Sequence, residues 1–402
     1  MKISIKPLLQ RLPDIYICFP VSEKVVIYGV GGEFIISNYV LKKIPYQVVH
    51  LPVDKHMGTV HLYISAAVVI NMILNCKLVF RDIPPISFLR KIRLFVGNLI
   101  RVYQLSVIEA HNPKLVLSIQ DTSYQFQWMS KYCKKVKFIA IANSPRTELN
   151  LNEQLPHRFP HPAATVCLQY LFVHGEIERD LFSRLGHKID NFIVSGPVRS
   201  GYYRSEMAFS NPKKVFDICL ISQYEPNVME GGDTGDTPEL KKALLALYLF
   251  IRKYVREYNL TFCIALRYGS QMEIDHFIEH FGPGIFMQAF SLPGMSTYFL
   301  IDACDIAVTF DSSAGREAFS WGKKTFFANY SGNPARNCIS QGPWLLEGGG
   351  YEEFESALGS LREMNMNKYT EISQNVKTSM MRFDNMHPAH IVIREHILNL
   401  LG

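Results

Sequence analysis

The chain has 402 residues, of which 48% are hydrophobic and 19% charged, and its formal net charge is +6. Its mean hydropathy is +0.03. These values exclude a disordered, collagen-like or coiled-coil chain, and mixed charges without a basic-aromatic module disfavour a nucleic-acid-binding protein. The length predicts two or three domains, each large enough for its own hydrophobic core.

Short apolar runs alternate with longer helical patterns in the first half of the chain. This alternation predicts a parallel sheet with helices on both faces. The predicted strands lie at 24–30, 46–51, 77–80, 114–119, 137–143, 170–175 and 191–196. The predicted helices lie near 59–74, 86–109, 123–133 and 176–185.

A second series of the same kind follows a polar and aromatic stretch without a clear period. Its predicted strands lie at 215–222, 260–268, 284–290, 305–310 and 324–330. Its predicted helices lie near 238–257, 272–280, 296–303, 313–321 and 368–382, before a last helix from Pro388 to Leu400. The fold class is therefore α/β, with two doubly wound domains of similar size.

The domain organisation follows from the break between the two series. We predict an N-terminal domain at 1–196, a linker at 197–214, a C-terminal domain at 215–386 and a C-terminal helix at 387–402 that crosses back to the first domain. Ligands of such sheets bind at the carboxyl ends of the strands. The cleft between the domains is therefore the expected site, although a fold alone does not distinguish a transferase from an epimerase or a binding protein.

The cysteines and the apolar segments indicate which cellular compartment to expect. The eight cysteines include no Cys-x-x-Cys pair, which favours reduced core thiols over disulfides or zinc. The N-terminus has no continuous apolar segment, and the longest apolar run, at 64–74, is far shorter than the roughly 20 residues of a membrane span. We expect a cytoplasmic protein without a signal peptide or transmembrane helix.

The clearest candidate for a functional motif comes directly after the predicted strand at 305–310. Asp311, Ser312 and Ser313 open a helix there, and Gly315 keeps its first turn narrow. Free backbone N–H groups and two hydroxyls at a helix start make a site for a phosphate or diphosphate. The alternative is ordinary capping of the helix by Asp311 or Ser312.

Glu317 lies one turn further along the same helix, where its carboxylate could accept a hydrogen bond from a ribose hydroxyl. The whole segment, DIAVTFDSSAGREAFSWGKKTFFANY, resembles the carboxyl-domain signature of GT-B glycosyltransferases that build bacterial surface carbohydrates. The stretch FVHGEIERDLF…FIVSGPVRSGYY resembles the end of the amino domain in the same enzymes. The resemblance covers about 170–330 well and the first 110 residues poorly.

Within that superfamily the chain is most similar to the bacterial β-Kdo transferases, which are retaining enzymes that use CMP-Kdo. The resemblance implies a GT-B fold, two Rossmann-like domains facing a central cleft, and a nucleotide sugar held by the C-terminal domain. It also implies an oligosaccharide or lipid-linked acceptor in the N-terminal domain. Cations and helix ends usually replace a metal in a GT-B site, so we expect no metal ion and no cofactor.

An acidic, glycine-rich loop, SQYEPNVMEGGDTGDTPE, follows the first strand of the second domain. Retention through two displacements needs a carboxylate against the anomeric carbon, and the Kdo transferases are thought to use an Asp in the equivalent loop. We favour Asp233 as this nucleophile, with Asp236 and Glu230 as reserves. The alternative is a solvated loop that only caps the next helix. Asp233 and Asp236 do not have the spacing of a metal-binding Asp-x-Asp pair.

Basic and polar residues near predicted strand ends complete the donor candidates. A guanidinium can hold a phosphate or a sugar carboxylate with two parallel hydrogen bonds. The candidates are Arg267, Tyr268, Arg199, Arg316 and Gln223. Each arginine could instead be an ordinary surface cation.

The acceptor candidates follow two strands of the first domain. Asp121, Thr122 and Gln125 could bind acceptor hydroxyls, and Arg146 follows the next strand. The alternative is helix capping. The histidines form no HxH or HExxH motif, and the glycines at 29–32 lack the spacing of a dinucleotide site.

A basic amphipathic helix at 87–105 could touch an anionic membrane surface, where lipid-linked acceptors reside, or could simply cover the sheet. The leading hypothesis is a glycosyltransferase that transfers Kdo from CMP-Kdo, with retention, to a bacterial surface glycan. The alternatives are a transferase using an NDP-hexose or CDP-polyol, a non-hydrolysing epimerase, and a non-catalytic GT-B-like binding module.

Overall fold

The computed structural model describes residues 3–5, 14–29, 33–50, 59–81, 88–148, 151, 165–207, 214–229, 237–289 and 295–402. These residues form two Rossmann-like domains, each built on a six-stranded sheet with helices on its faces. All strand pairs within the two large sheets are parallel. The predicted α/β class with two parallel-sheet domains is confirmed.

The N-terminal sheet has the strand order β4-β3-β6-β7-β8-β9. Its strands are β3 (Val25–Gly29), β4 (Gln47–His50), β6 (Leu115–Ser118), β7 (Lys137–Ile141), β8 (Cys167–Val173) and β9 (Lys188–Val194). A small second sheet pairs β2 (Asp14–Cys18) with β1 (Ile3–Ile5) and β5 (Thr59–Tyr63). The helices are α1 (Glu33–Ile35), α2 (Ala66–Asn75), α3 (Phe88–His111), α4 (Tyr124–Tyr132) and α5 (Glu176–Arg184).

Helix α6 (Val198–Tyr202) leads out of the first sheet, and the C-terminal sheet has the strand order β12-β11-β10-β13-β14-β15. Its strands are β10 (Phe216–Ile221), β11 (Phe262–Leu266), β12 (Phe286–Ala289), β13 (Cys304–Thr309), β14 (Thr325–Asn329) and β15 (Leu345–Glu347). The helices are α7 (Pro226–Met229), α8 (Thr237–Glu257), α9 (Gln271–Phe281), α10 (Ser296–Asp302), α11 (Ser313–Ser320), α12 (Tyr351–Glu363), α13 (Met366–Met380) and α14 (Ala389–Leu401).

The central strands are buried on both faces, which is why they read as continuous apolar runs rather than alternating ones. Every residue of β3, with the sequence VVIYG, is buried, and so is every residue of β14, with the sequence TFFAN. Helices pack on both faces of each sheet, so two apolar layers flank each one. The two sheets therefore hold their strand ends at fixed positions.

Two sequence-based expectations were wrong in the first domain. Residues 77–80 are not a strand but part of a 3-10 helix (Cys76–Phe80) that continues directly from α2, so their backbone hydrogen bonds stay local. The predicted helix at 59–74 begins only at Ala66, because Ser65 caps it and β5 pairs with β2 before it. In the second domain, α12 and β15 lie in a stretch where no element was predicted.

The stretch predicted as an irregular linker, 197–214, contains α6 and a π-helical turn (Tyr203–Met207). The tyrosines of this stretch explain why it has regular structure, because their rings pack on both domains. Tyr202 lies 4.3 Å, between ring centroids, from Tyr39 of the first domain. Tyr203 lies 5.7 Å from Tyr298 of the second domain.

The C-terminal helix α14 packs on the N-terminal domain. The Arg394 guanidinium donates to the backbone carbonyls of Tyr39 and Val40, at 2.7 Å each. The chain just before α14 also lies against the first domain, where the backbone N–H of Arg382 donates to the carbonyl of His174 (2.8 Å). The second domain is thus tied to the first at two places besides the 197–214 stretch.

A close backbone contact at this crossing explains Gly196. Its φ is +91°, and a Cβ built there would lie 2.2 Å from the Arg382 carbonyl oxygen. Gly282, at the end of α9, has a similar φ of +94° with nothing within 4 Å. The two glycines therefore differ in steric room but not in backbone strain.

We predict that Gly196→Ala destabilises the protein more than Gly282→Ala does. Both variants carry the same left-handed backbone cost, but only the first forces a clash, worth about 2 kcal/mol. That difference is roughly 4–8 °C in the thermal unfolding midpoint, measured by circular dichroism. Equal losses in the two variants would contradict the contact between Gly196 and the crossing segment.

Candidate functional site in the cleft between the domains

A cavity of about 640 Å³ lies between the two domains, at the carboxyl edges of both large sheets. The loop after β7 contributes Asn143, Ser144, Arg146 and Thr147 from the N-terminal side. The segments after β10, β11 and β13 line the opposite side. The cavity lies where the strand topology predicts a ligand, at the carboxyl ends of neighbouring strands whose following helices leave on opposite faces of the sheet.

The strand order of the C-terminal sheet reverses between β10 and β13, and Gln223 joins these two strand ends. Its Oε1 accepts hydrogen bonds from the backbone N–H groups of Phe310 and Asp311, at 2.9 Å each, and from the Thr309 hydroxyl (3.2 Å). Its Nε2 donates to the Asp311 carboxylate. Gln223 lines the cavity, but most of its hydrogen-bonding capacity is used to hold the turn before α11.

The first turn of α11 opens into the cavity, where Ser312 and Ser313 lie. Ser312 is the N-cap residue, but its hydroxyl makes no capping hydrogen bond. The first N–H of the turn with a backbone acceptor is that of Arg316, which donates to the Ser312 carbonyl (3.1 Å). Free first-turn N–H groups are the feature that binds anions at helix starts.

Gly315 lets α11 lie directly on β13. A Cβ at this position would be 2.6 Å from the Cγ2 atom of Thr309 and 3.5 Å from the ring of Phe327. A side chain would therefore push the helix start away from the strand. Gly315 fixes the position of the N–H groups rather than contacting a ligand itself.

Arg316 and Glu317 are both buried yet line the cavity. The Nε of Arg316 has no hydrogen-bond partner in the described part of the chain, although the side chain is only 7% exposed. Glu317 accepts a hydrogen bond from the Tyr298 hydroxyl (2.8 Å). Burial and the neighbouring Glu317 carboxylate raise the pKa of Tyr298, so this hydroxyl stays protonated and remains a donor.

The lining has a strong excess of positive charge. Among the described residues it contains the five arginines Arg146, Arg199, Arg267, Arg316 and Arg336. The same lining contains two carboxylates, Asp311 and Glu317, both on the C-terminal side. Such a cavity attracts an anionic ligand, and guanidinium groups suit phosphate and carboxylate geometry.

Arg267 is held at the cavity by a buried carboxylate. Glu273 accepts hydrogen bonds from the backbone N–H groups of Arg267, Tyr268 and Gly269, at 2.8 Å each. It also accepts one from the Ser222 hydroxyl. Glu273 thereby joins the ends of β10 and β11 and sets the path of the loop that carries Arg267.

The Arg267 guanidinium itself is exposed and pairs with Glu225 (2.9 Å). The Tyr268 hydroxyl donates to the same carboxylate (2.9 Å) and does not reach the cavity lining. Burial raises the pKa of Tyr268, so it remains a donor. Glu225 thus anchors both residues near the start of the acidic loop.

A buried ionic network supports the N-terminal side. Asp121 is completely buried, and its carboxylate accepts hydrogen bonds from Arg146, from Nε at 2.8 Å and from Nη2. Glu178 accepts from the backbone N–H of Arg146 (3.1 Å) and lies 2.9 Å from Nδ1 of His174. Burial disfavours the Glu178 anion, but His174 and Arg146 outweigh this, so the pKa of Glu178 lies below its ordinary value.

This network changes the expected role of Asp121. A carboxylate with no exposed surface cannot contact an acceptor directly, so Asp121 positions Arg146, which does line the cavity. Thr122 and Gln125 are half-buried and lie outside the described lining. The structure therefore brings together Arg146, Arg199, Arg267 and the 312–317 turn, but not Thr122, Gln125 or Tyr268.

The three acidic candidates, Glu230, Asp233 and Asp236, lie outside the described residues. In the chain they follow Ser222 and Gln223, which line the cavity, and α7. Among the described residues, no group of three His, Cys, Asp or Glu side chains could hold a metal ion.

Sequence reasoning missed several lining residues, three of which have titratable side chains. Tyr298 lies on α10, Arg336 in a short 3-10 helix after β14, and Cys338 two residues further on. Burial raises the pKa of the Cys338 thiol to about 12, so it is a neutral lining group. No motif marks these positions, because their approach to the cavity depends on how the segments around β14 pack.

No protein-family model and no curated protein matches the sequence, whereas solved structures do match the fold. The UDP-GlcNAc 2-epimerase from Neisseria meningitidis bound to UDP-GlcNAc has a TM-score of 0.50 at 16% identity, covering 93% of this chain and 99% of that chain. The S. aureus MnaA–UDP co-structure has a TM-score of 0.54 at 15% identity, with coverages of 94% and 96%.

The wall teichoic acid polymerase TagF has a TM-score of 0.53 at 14% identity, with coverages of 95% of this chain and 91% of that chain. The chain has the GT-B fold. At these identities the similarity establishes the fold alone. The epimerase, MnaA and the polymerase share this architecture, so the expected GT-B fold is confirmed while the Kdo donor remains a prediction.

We predict that Glu273→Gln destabilises the C-terminal domain and weakens ligand binding. The new amide would point N–H groups at backbone N–H donors, leaving at least one unsatisfied at about 1–3 kcal/mol. Asp275→Asn, on the exposed side of the same helix, is the control and should change stability by about 0.5 kcal/mol or less. Thermal unfolding measures both, and similar effects would contradict a special role for Glu273.

Proposed function

We propose that the protein is a nucleotide-sugar-dependent glycosyltransferase of bacterial surface glycan assembly. The observation that carries this proposal is the arginine-lined cavity between two Rossmann-like domains, with the open first turn of α11 at its wall. A nucleotide sugar supplies the negative charge that such a cavity needs. The N-terminal side of the cavity then receives the glycan acceptor.

The donor phosphate would bind at the first turn of α11. The Ser313 N–H and the hydroxyls of Ser312 and Ser313 would donate to it, because the Ser312 N–H already donates to the Thr309 hydroxyl (3.3 Å). The Arg316 guanidinium, which is buried beside it with Nε unpaired, would gain the partner that its burial requires. Glu317, one turn further on, would accept from a ribose hydroxyl alongside the donor Tyr298.

We propose CMP-Kdo as the donor. This nucleotide sugar carries two anionic groups, one phosphate and the carboxylate of the sugar. Arg199 and Arg316 offer two cations at the cavity wall, and Arg267, which pairs with Glu225, lies beside them. The sequence resemblance of the 172–203 and 305–330 segments to the β-Kdo transferases supports the same choice.

The catalytic carboxylate in this proposal is Asp233, with Asp236 and Glu230 as alternatives. The two carboxylates of the described lining have other roles in this proposal, because Asp311 accepts from Gln223 at the turn before α11 and Glu317 is placed at the ribose. In sequence, residues 230–236 follow Ser222 and Gln223, which line the cavity wall. This order in the chain supports the choice of these acids.

Retention would follow from two displacements. The Asp233 carboxylate oxygen forms a bond to the anomeric carbon, and the bond from that carbon to the CMP phosphate oxygen breaks, with the electron pair leaving on the phosphate. An acceptor hydroxyl oxygen then bonds to the same carbon from the vacated side and the carboxylate leaves. The hydroxyl proton is released to solvent or to a base on the acceptor side.

The acceptor would lie against Arg146, Asn143 and Ser144, which line the N-terminal wall. Asp121 holds the Arg146 guanidinium in place for an anionic or hydroxyl-rich acceptor. Thr122 and Gln125 remain candidates for a longer acceptor that extends beyond the described lining.

A second candidate is a UDP-sugar enzyme, either an epimerase or a transferase. The GT-B similarity to a UDP-GlcNAc 2-epimerase bound to UDP-GlcNAc and to an MnaA–UDP co-structure favours it. An epimerase would need no acceptor and would convert the free nucleotide sugar. The identity of the stabilising nucleotide separates this candidate from the first.

We predict that CMP raises the thermal unfolding midpoint of the protein and that UDP and GDP do so less. Stabilisation by a ligand scales with the logarithm of its concentration over its dissociation constant. Arg316→Lys should weaken CMP binding by about 10- to 100-fold, because one charged hydrogen bond is lost. Arg256→Lys, at an exposed position of α8, should leave CMP binding unchanged.

Each outcome of this measurement decides something. Preferential stabilisation by UDP would favour the second candidate and overturn the CMP-Kdo donor. No effect from any nucleotide would overturn a transferase and favour a silent binding module. Equal CMP binding by wild type and Arg316→Lys would remove Arg316 from the phosphate site.

We predict that Asp233→Asn abolishes glycosyl transfer while leaving the CMP-induced thermal shift intact. The amide keeps the size of the side chain but is a poor nucleophile, so the loss in rate should be about 1,000-fold or more. Asp236→Asn and Glu230→Gln are the matched variants. Full activity of Asp233→Asn, with loss in one of the others, would move the role to that residue.

A further inference from the structure

Helix α2 and the first half of α3 place several polar side chains inward and many apolar side chains outward. On α2, Asn71 donates to the Ser106 carbonyl of α3 (3.4 Å), and Asn75 donates to Glu109 of α3 (2.7 Å). The intervening Ile73 and its neighbour Leu74 are each 65% exposed. A helix that merely covers a sheet has the reverse pattern.

The first half of α3 continues this arrangement. Asn98 is buried and donates to two carbonyls of the preceding segment, those of Val79 (2.9 Å) and Arg81 (2.8 Å). The next residues, Leu99 and Ile100, are 43% and 40% exposed. The polar contacts thus hold the helices together from inside, and the apolar residues are left on the surface.

The exposed apolar side chains of α2 and of α3 recur three or four residues apart, so each helix carries them on one face, and the two helices pack together. Phe80 is 71% exposed, and its ring centroid lies 5.6 Å from that of Phe95 on α3. Phe88, at the first residue of α3, is 75% exposed. We call the exposed apolar side chains of 69–74, Phe80 and 88–100 the apolar face. Soluble monomers rarely expose a continuous face of this kind without a partner.

The charges around the apolar face indicate which partner it has. Residues 61–100 contain five basic residues, Lys77, Arg81, Arg90, Lys91 and Arg93, and one acid, Asp82. Lys77, Arg81 and Lys91 are exposed in the structure. Apolar side chains flanked by Lys and Arg suit the interface of an anionic lipid bilayer.

The apolar face also lies towards the cavity edge of the N-terminal sheet. Helix α3 has 24 residues, about 36 Å in length, and leads directly into β6. Its last turn is therefore at the amino edge of the sheet and its first turns point towards the carboxyl edge, where the cavity opens. In the described residues, none of the helices is long and apolar enough to cross a bilayer.

We propose that the apolar face docks the protein on the surface of an anionic membrane, with α2 and the start of α3 inserted at the headgroup boundary. Docking in this orientation turns the open edge of the cavity towards the lipid surface. The inference goes beyond the proposed reaction, because it rests on the exposed face and its charges and not on the nucleotide site.

The test is flotation of the full-length protein with vesicles, either of phosphatidylcholine alone or with about one third phosphatidylglycerol. We expect binding to the anionic vesicles that salt weakens. Ile73→Asn/Leu74→Asn should reduce it about tenfold or more, and Lys77→Glu/Lys91→Glu should do likewise on anionic vesicles. These positions are exposed, so stability should change little.

Matched controls carry the same substitutions on the C-terminal domain. Leu249 and Ile278 are 50% and 38% exposed, and Leu249→Asn/Ile278→Asn should float like wild type. Lys242→Glu/Lys368→Glu changes the net charge equally, at two exposed lysines, and should also bind. Equal loss in these controls would overturn a specific role for the apolar face.

Three results would overturn the proposal itself: no flotation of wild type, full flotation of the Ile73→Asn/Leu74→Asn variant, or equal binding to neutral vesicles. Analytical ultracentrifugation tests whether a second copy of the chain covers the apolar face instead. A wild-type dimer that dissociates in the same variant would show that it does, and would overturn the membrane proposal. Because the CMP-induced thermal shift needs no membrane, failure here leaves the nucleotide site intact.

Discussion

The cavity depends on the crevice at the carboxyl ends of the neighbouring strands β10 and β13. The helices that follow these two strands leave on opposite faces of the sheet, so a crevice opens between the strand ends. Gln223 spans the crevice with hydrogen bonds to three consecutive residues, Thr309 to Asp311. This one side chain fixes the turn from which α11 starts, and with it the direction of the N–H groups that face the cavity.

The Nε of Arg316 is buried without a hydrogen-bond partner in the described part of the chain. A buried donor of a charged group costs free energy when it is left without a partner. An anionic ligand in the cavity would offset that cost. The same logic separates Arg316 from Arg267, which is exposed and already paired with Glu225.

Periodicity was enough to predict the fold class, because a buried parallel strand such as β14 is apolar along its whole length whatever its neighbours are. It failed at 77–80, where an apolar run of strand length continues from α2 as a 3-10 helix. The position of Asp121 after a strand did not reveal its role, because no local signal distinguishes a carboxylate that pairs with Arg146 from one that faces a ligand. Tyr298 and Arg336 were missed because they reach the cavity through packing of distant segments.

The two domains contribute different chemical groups to the cavity, and this difference limits which ligand part each wall can bind. The C-terminal wall combines a helix start, Arg316 and two engaged carboxylates, which suits a phosphate and a ribose but leaves no described acid for attack. The N-terminal wall offers amide, hydroxyl and guanidinium groups held by the buried Asp121–Arg146 pair. In the proposed double displacement, the nucleophilic carboxylate would then come from the acidic 230–236 segment, which follows α7 in the chain.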